Sequence, residues 1–254
     1  MIPKIIHYCW LSDEPIPSNL QNYIDGWKKL MPDFVFKKWD KNAFDIHSVK
    51  WVEDAYANRK WAFAADYVRA YALFTEGGFY LDSDVLLQQR LDDYLDAGFV
   101  SSIEYNPSCK QNVINSIDDS FHRKDEVSFV KGLGIQAAII GSEKGHPFPK
   151  ELLCYYESHQ FMREDGTLDQ LPAPIIYSLM LEKKGFLYKD EYQELPNRIK
   201  IYNSKVFAGF QTCNFKSVGI HVCAGSWVDG KKQSGFIGSL KKNLFIRKVY
   251  NTLF

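Results

Sequence analysis

Lys4-Ile5-Ile6-His7-Tyr8-Cys9-Trp10 is a short run of apolar and β-branched residues, closed by Ser12, Asp13, Pro15 and Pro17. It reads as a buried strand leading into a loop. Ser18-Asn19 then opens a helix that runs through Leu30, with Leu20, Tyr23, Ile24 and Trp27 on one stripe. Pro32-Asp33 breaks it, and Phe34 to Trp39 reads as a second strand. A strand–helix–strand opening of this kind begins an α/β sheet.

The rest of the chain extends the same alternation. Trp51 to Thr75 is helical in pattern, with Trp61, Ala65, Val68 and Ala72 at helical spacing, and Gly77-Gly78 supplies the stop. Phe79 to Leu87 is a strand by residue type, and Asp92 to Leu95 a short helical turn. Further strands are expected over 99–103, 133–140, Ile199–Tyr202 and Val218–Cys223. Helices are expected from the Gly145–Pro149 turn through Gln160 and over 172–184. Tyr105 to Asp125 is polar and carries no clear period. Without a linker or repeat, one domain is expected over 1–239, followed by a basic amphipathic tail over 240–254.

Composition narrows the class. The 254 residues are 46% hydrophobic and include 6 Trp, 15 Tyr and 18 Phe, which excludes a disordered chain. Lys plus Arg and Asp plus Glu are equal at 31 each, so the basic surplus a nucleic-acid binder needs is missing. No run approaches the roughly 20 apolar residues that span a bilayer. The N-terminus has no charged and apolar leader pattern. Five cysteines (Cys9, Cys109, Cys154, Cys213, Cys223) form no C-x-x-C pair and read as reduced thiols of a cytoplasmic protein.

Chemistry concentrates at Asp82-Ser83-Asp84. If the strand persists to Val85, the two carboxylates share a face. Carboxylates held that close repel unless a cation sits between them, and Mg²⁺ or Mn²⁺ takes such oxygen ligands together with phosphate oxygens of a substrate. Taken alone, the triplet reads rather as a solvated strand end. Asp66 and Arg69 lie three apart on an otherwise apolar, aromatic-rich helix, either as a local ion pair or as a pair aimed into a polar cleft. Trp10 ends the first strand, where open α/β sheets bind ligands, and its indole is either core or a flat face for a nucleobase. His221 ends a late strand, as a structural histidine or as a metal or phosphate ligand.

In order along the chain, Ile2-Pro-Lys-Ile-Ile-His-Tyr-Cys-Trp10, Trp61-Ala-Phe-Ala-Ala-Asp66-Tyr-Val-Arg69, Gly77-Gly-Phe-Tyr-Leu-Asp82-Ser-Asp84, Ile140-Gly-Ser-Glu-Lys-Gly-His-Pro147 and His221 through Gly225-Ser226-Trp227 resemble the retaining, DXD-containing sugar transferases of glycosyltransferase family 32. That family includes bacterial capsular-polysaccharide enzymes, fungal mannosyltransferases and, distantly, the glucosylating domain of clostridial toxins. The resemblance implies a GT-A type α/β fold with a mixed, mainly parallel sheet flanked by helices. It implies a metal-dependent hexosyltransferase of polysaccharide synthesis that uses Mn²⁺ or Mg²⁺, with catalytic residues Asp66, Arg69, Asp82 and Asp84. Trp10 matches the aromatic that stacks on the base, and Asp66 and Arg69 the pair on ribose and donor-sugar hydroxyls. Asp84, Asp82 and His221 match the metal site. Ser226 and Trp227 match a segment closing over the diphosphate, and Cys9 and Ser83 fall within the donor-binding blocks. Gln136 and Ala137 stand where the family has a polar sugar-contacting residue.

The partners so implied are a nucleotide-sugar donor, UDP-linked by analogy to bacterial relatives, and a glycan or lipid-linked acceptor, with no nucleic acid. The tail carries Lys241, Lys242, Arg247 and Lys248 beside Leu240, Leu244, Val249 and Leu253. It reads as a terminal helix packed on the core or as a peripheral contact with the inner face of the membrane. Three other readings stand beside this one: a sugar-nucleotide or glycan binding protein without transfer activity, an aspartyl-phosphate type phosphatase, and a structural zinc site built from His7, Cys9, His221 and Cys223.

Overall fold

The computed structural model describes residues 1–223; Ser226, Trp227, the 239/240 boundary and the tail lie outside the described residues. In chain order the elements are β1 (Ile5–Cys9), α1 (Ser18–Leu30), β2 (Val35–Trp39), α2 (Lys50–Ala57), α3 (Trp61–Glu76), β3 (Gly78–Leu81), β4 (Val85–Leu87), β5 (Phe99–Tyr105), α4 (Lys110–Ser116), β6 (Leu133–Ile135), β7 (Ile139–Ser142), α5 (Pro147–Ser158), α6 (Ala173–Glu182), β8 (Gln193–Leu195), β9 (Ile199–Tyr202), β10 (Phe207–Gly209) and β11 (Gly219–His221).

The main sheet has the order β2-β1-β3-β7-β5-β9-β8, with β6 added on β5, and β10-β11-β4 form a second, smaller sheet. The expected mixed α/β sheet flanked by helices is present. Parallel pairing does not dominate it. β1–β2, β1–β3 and β5–β9 are parallel, whereas β3–β7, β5–β7, β5–β6 and β8–β9 are antiparallel. Two of the three parallel pairs belong to the βα opening, where helical crossovers return each strand in the same direction.

Both faces of the sheet are buried, and side-chain alternation sorts them. Tyr80, Phe99 and Ile140 point to the layer holding α2, α3, α5 and α6. Phe79, Leu81, Val100 and Ile139 point to the layer holding α1 and the small sheet. Helix α1 buries the four expected residues, Leu20, Tyr23, Ile24 and Trp27. Among the described residues no helix is long and apolar enough to cross a membrane.

Three expected elements are divided. The helix over 51–75 is two helices, because Arg59 adopts φ 57° and the turn closes through Lys60 N–H to Ala55 O at 2.8 Å, a left-handed helix end made without glycine. The strand over 79–87 stops at Leu81 and resumes at Val85 in the other sheet. The strand over 133–140 is split into β6 and β7 by Gln136-Ala137-Ala138. The stretch from Tyr105 holds a 3₁₀ turn at Pro107–Cys109 and then α4. β8 and β10, three residues each, carry no sequence signal of their own.

The glycine doublet is required by geometry. Gly77 ends α3 at φ 70°, and Gly78 opens β3 at φ 107°. A Cβ on Gly78 would stand 2.6 Å from the Ile5 carbonyl oxygen, so the close pairing of β3 with β1 admits only glycine.

Candidate active site

Helix α3 precedes β3 and runs back across the sheet, so its first half lies over the carboxyl end of β3. Asp66 and Arg69 sit there, both 5% exposed. Arg69 is placed by three groups. Its Nη1 donates to Ala137 O at 2.8 Å. Its Nη2 lies 3.1 Å from Asp66 Oδ1 and 3.3 Å from Asp82 Oδ1. The guanidinium also lies 4.9 Å from the centre of the Tyr80 ring. Burial works against its charge, but Asp82 and Asp66 outweigh that and hold Arg69 protonated. Burial pushes the Asp66 carboxyl up to about 7, with Arg69 opposing and Asp82 adding. Asp66 and Arg69 are thus a buried ion pair that reaches the acidic triplet.

The acidic triplet is a turn rather than the end of a strand. Asp82 N–H donates to Ala138 O at 2.9 Å, and Val85 N–H closes back on Asp82 O at 3.0 Å. The expected sharing of a strand face therefore does not bring the carboxylates together; the turn does. It passes the chain from the large sheet to the small one, where β4 pairs antiparallel with β11 and Val85 stands opposite His221. Val222 N–H donates to Asp84 O at 3.1 Å and tightens the same junction. Trp27 anchors the far side, its indole N–H donating to Val85 O at 2.8 Å.

The result is a compact donor set. One ligand atom from each of Asp82, Asp84 and His221 lies within 4.8 Å of the others. His221 Nε2 is 3.4 Å from Asp84 Oδ1, and its Nδ1 is 3.5 Å from Cys223 Sγ. Burial disfavours a charged His221, yet Asp84 and Cys223 overcome this and raise it well above the ordinary imidazole range. Two carboxylates beside a half-buried imidazole that Asp84 draws toward its protonated form make a site short of positive charge. That donor set fits a divalent cation.

Trp10 and Cys9 stand at the carboxyl end of β1, beside β3. Trp10 is half-buried, and its indole N–H is fixed on Glu14 O at 2.7 Å. Burial raises the Cys9 thiol, which lies within the fields of Arg69, Asp82 and Asp66. Ser83 is half-buried in the triplet turn. Gln136 is structural: its Nε2 donates to Phe207 O, and its Oε1 accepts from Ile139 N–H. Ala137 contributes only its carbonyl, to Arg69. The zinc reading fails at His7, whose Nε2 donates to Gly77 O while its Nδ1 accepts the Trp39 indole N–H, leaving no nitrogen for a metal.

Glu104 was not singled out by the sequence. It is half-buried near the end of β5. Burial raises its carboxyl, with His221 and Arg69 opposing and Asp82 adding. A lone acidic residue inside a strand run is the signal that could have found it.

Residues 17–100, which hold Asp66, Arg69 and the triplet, match the family described as glycosyltransferase sugar-binding region containing DXD motif. An uncharacterized glycosyltransferase of Acanthamoeba polyphaga mimivirus is 32% identical over 126 residues, covering 46% of this chain and 49% of that protein. The chain thus spans about half the length of that curated relative. Among solved structures, PaToxG glycosyltransferase superposes with TM-score 0.49 at 18% identity, over 72% of this chain and 69% of its own. The galactosyltransferase LgtC, solved with donor and acceptor sugar analogs, gives TM-score 0.44 at 11% identity, over 98% and 100%. The similarity to a DXD-containing glycosyltransferase sugar-binding region thus falls on the segment that carries the aspartate–arginine pair and the acidic triplet.

Proposed function

We propose that the chain is a metal-dependent retaining glycosyltransferase of the GT-A type, within family 32, that moves a hexosyl group from a UDP-sugar to a glycan or lipid-linked acceptor in polysaccharide synthesis. One observation carries this reading: Asp82, Asp84 and His221 converge beside a buried Asp66–Arg69 pair. Asp84, Asp82 and His221 would hold Mn²⁺ or Mg²⁺, which when bound supplies positive charge to the diphosphate leaving group.

The chain's own residues do the rest. Trp10 offers an aromatic face to the base. Arg69, held charged, adds donors beside the triplet. Asp66 receives sugar hydroxyls. The glycosidic bond to the diphosphate breaks, the acceptor oxygen bonds to the anomeric carbon from the same face, and the acceptor's proton passes to the departing phosphate oxygen. Ser226 and Trp227 would close over the diphosphate. Co-sedimentation with liposomes, with and without the segment 240–254, tests a peripheral membrane contact against a tail that does not bind lipid.

A thermal-shift screen of UDP- and GDP-sugars with and without Mn²⁺ tests the whole reading. A ligand at about 100 times its Kd adds about 2.7 kcal/mol to the folded state. The expected result is a rise in Tm with a UDP-sugar and Mn²⁺ together. No rise with any sugar nucleotide contradicts the proposal.

A further inference from the structure

Strand register sets three side chains at one level across the large sheet. Phe79 on β3 pairs with Ile6 on β1 and with Gly141 on β7, and Gly141 pairs with Val100 on β5. Both β3 and β5 are antiparallel to β7, so they run the same way. Counting forward two residues brings Tyr8, Leu81 and Ser102 to the same height, and Trp10, the triplet turn and Glu104 follow them at the carboxyl edge. The acidic triplet therefore has the β1 end, with Trp10, on one flank and the β5 end, with Glu104, on the other. Glu104 also shares a face of β5 with Ser102, whose hydroxyl accepts from Phe207 N–H on β10 at 3.1 Å. β10 is the neighbour of β11, and Gly209 stands in register with His221.

Among the described residues the Glu104 carboxylate has no hydrogen bond and no ion pair, although it lies within the fields of His221, Asp82 and Arg69. A carboxylate kept half out of water without a partner costs stability unless something else meets it. The cation site is already furnished with two carboxylates and an imidazole. The nucleobase face is at the far flank.

We propose that Glu104 is the acceptor-side residue, whose carboxylate receives a hydrogen bond from the incoming saccharide hydroxyl and orients its oxygen toward the anomeric carbon. This rests on the transferase reading above. Glu104 keeps its charge state throughout: the C–O bond to the diphosphate breaks, the bond to the acceptor oxygen forms, and the proton leaves with the phosphate. A sugar hydroxyl is the class of ligand this position suits, since a lone carboxylate beside a site already rich in negative charge accepts a neutral donor and repels a further anion.

The test uses the full chain with UDP-sugars, Mn²⁺ and an array of methyl glycosides; the donor and acceptor that wild type uses define the assay. Glu104→Gln keeps the shape and removes the charge. The ratio of transfer to acceptor-independent donor hydrolysis should fall at least about tenfold, chiefly through a raised acceptor KM. The Kd of UDP with Mn²⁺ should stay within about threefold of wild type, and Glu104→Asp should restore part of the loss. An unchanged ratio overturns the assignment while the transferase reading stands. A parallel tenfold loss of UDP affinity puts Glu104 on the donor side and also overturns it. A wild-type protein that turns over no sugar nucleotide overturns the transferase reading, and this assignment with it.

Discussion

His221 Nε2 stands 3.4 Å from Asp84 Oδ1 because β11 pairs with β4 and sets His221 opposite Val85, the residue after Asp84. The metal-competent group is thus assembled by the small sheet, from residues 137 positions apart in the chain. Asp84→Ala removes one ligand and leaves His221 without its counter-charge. Transfer should fall by at least about 10²-fold while unfolding remains cooperative. His221→Ala should weaken Mn²⁺ binding by at least about tenfold. Full activity of the Asp84 variant in chelator-treated buffer would remove the cation from the account.

Trp10 is oriented by its N–H bond to Glu14 O, which leaves the ring face as the available surface. Base stacking is worth about 1–3 kcal/mol, so Trp10→Ala should raise the Kd for UDP by roughly 5- to 150-fold and change kcat less. Titration calorimetry with UDP measures this. An affinity equal to wild type contradicts the stacking role.

The parts legible in the sequence are those whose signal is local. Helix α1 shows its stripe and its Pro32-Asp33 stop, and β1 and β2 show apolar runs, so the βα opening reads correctly. The Asp66–Arg69 pair stands out because two charges on an apolar helix face conflict with burial, and the structure buries both and joins Arg69 to Asp82. The triplet's geometry is not legible in the same way. Residue type carries Phe79 through Leu87 as one strand, and the break at Asp82 depends on a hydrogen bond to Ala138, far along the chain. Arg59 ends a helix in a conformation that glycine usually supplies, so the break between α2 and α3 has no punctuation. Glu104 gains its meaning only from register across β3, β7 and β5.

His7 is fully buried and fixed as the neutral tautomer, donating from Nε2 to Gly77 O at 2.8 Å and accepting from Trp39 Nε1 at 3.0 Å. Burial lowers its pKa, although the Gly77 carbonyl and Glu76 pull upward and Lys37 downward. The unfolded chain therefore takes up a proton near pH 6.5 that the folded chain refuses. Stability from this site is complete above that pH and declines below it, by up to about 1.4 kcal/mol per pH unit. Asp66, raised by burial, acts in the opposite sense, so a difference measurement is needed. His7→Gln can donate and accept at the same partners without titrating. The stability advantage of wild type over His7→Gln should be flat from pH 8 to 7 and shrink from about pH 6.5 downward. A difference independent of pH would show that His7 does not titrate with unfolding.

Gly78→Ala should destabilise the fold through two separable effects. At φ 107° any side chain is strained, and the new Cβ would press on the Ile5 carbonyl oxygen at 2.6 Å. Gly185, at φ 92°, has nothing within 4 Å of the corresponding point. Gly185→Ala therefore carries the backbone strain alone, about 1–3 kcal/mol, and Gly78→Ala should cost clearly more. Urea denaturation of both variants gives the comparison. The excess measures how closely β3 must approach β1. That approach brings the carboxyl end of β3, with Asp82, beside Trp10 and Cys9, so Gly78→Ala should also weaken UDP binding and Gly185→Ala should not. Equal losses in the two variants would mean that the sheet relaxes around the new methyl group and that the glycine doublet serves only to end α3.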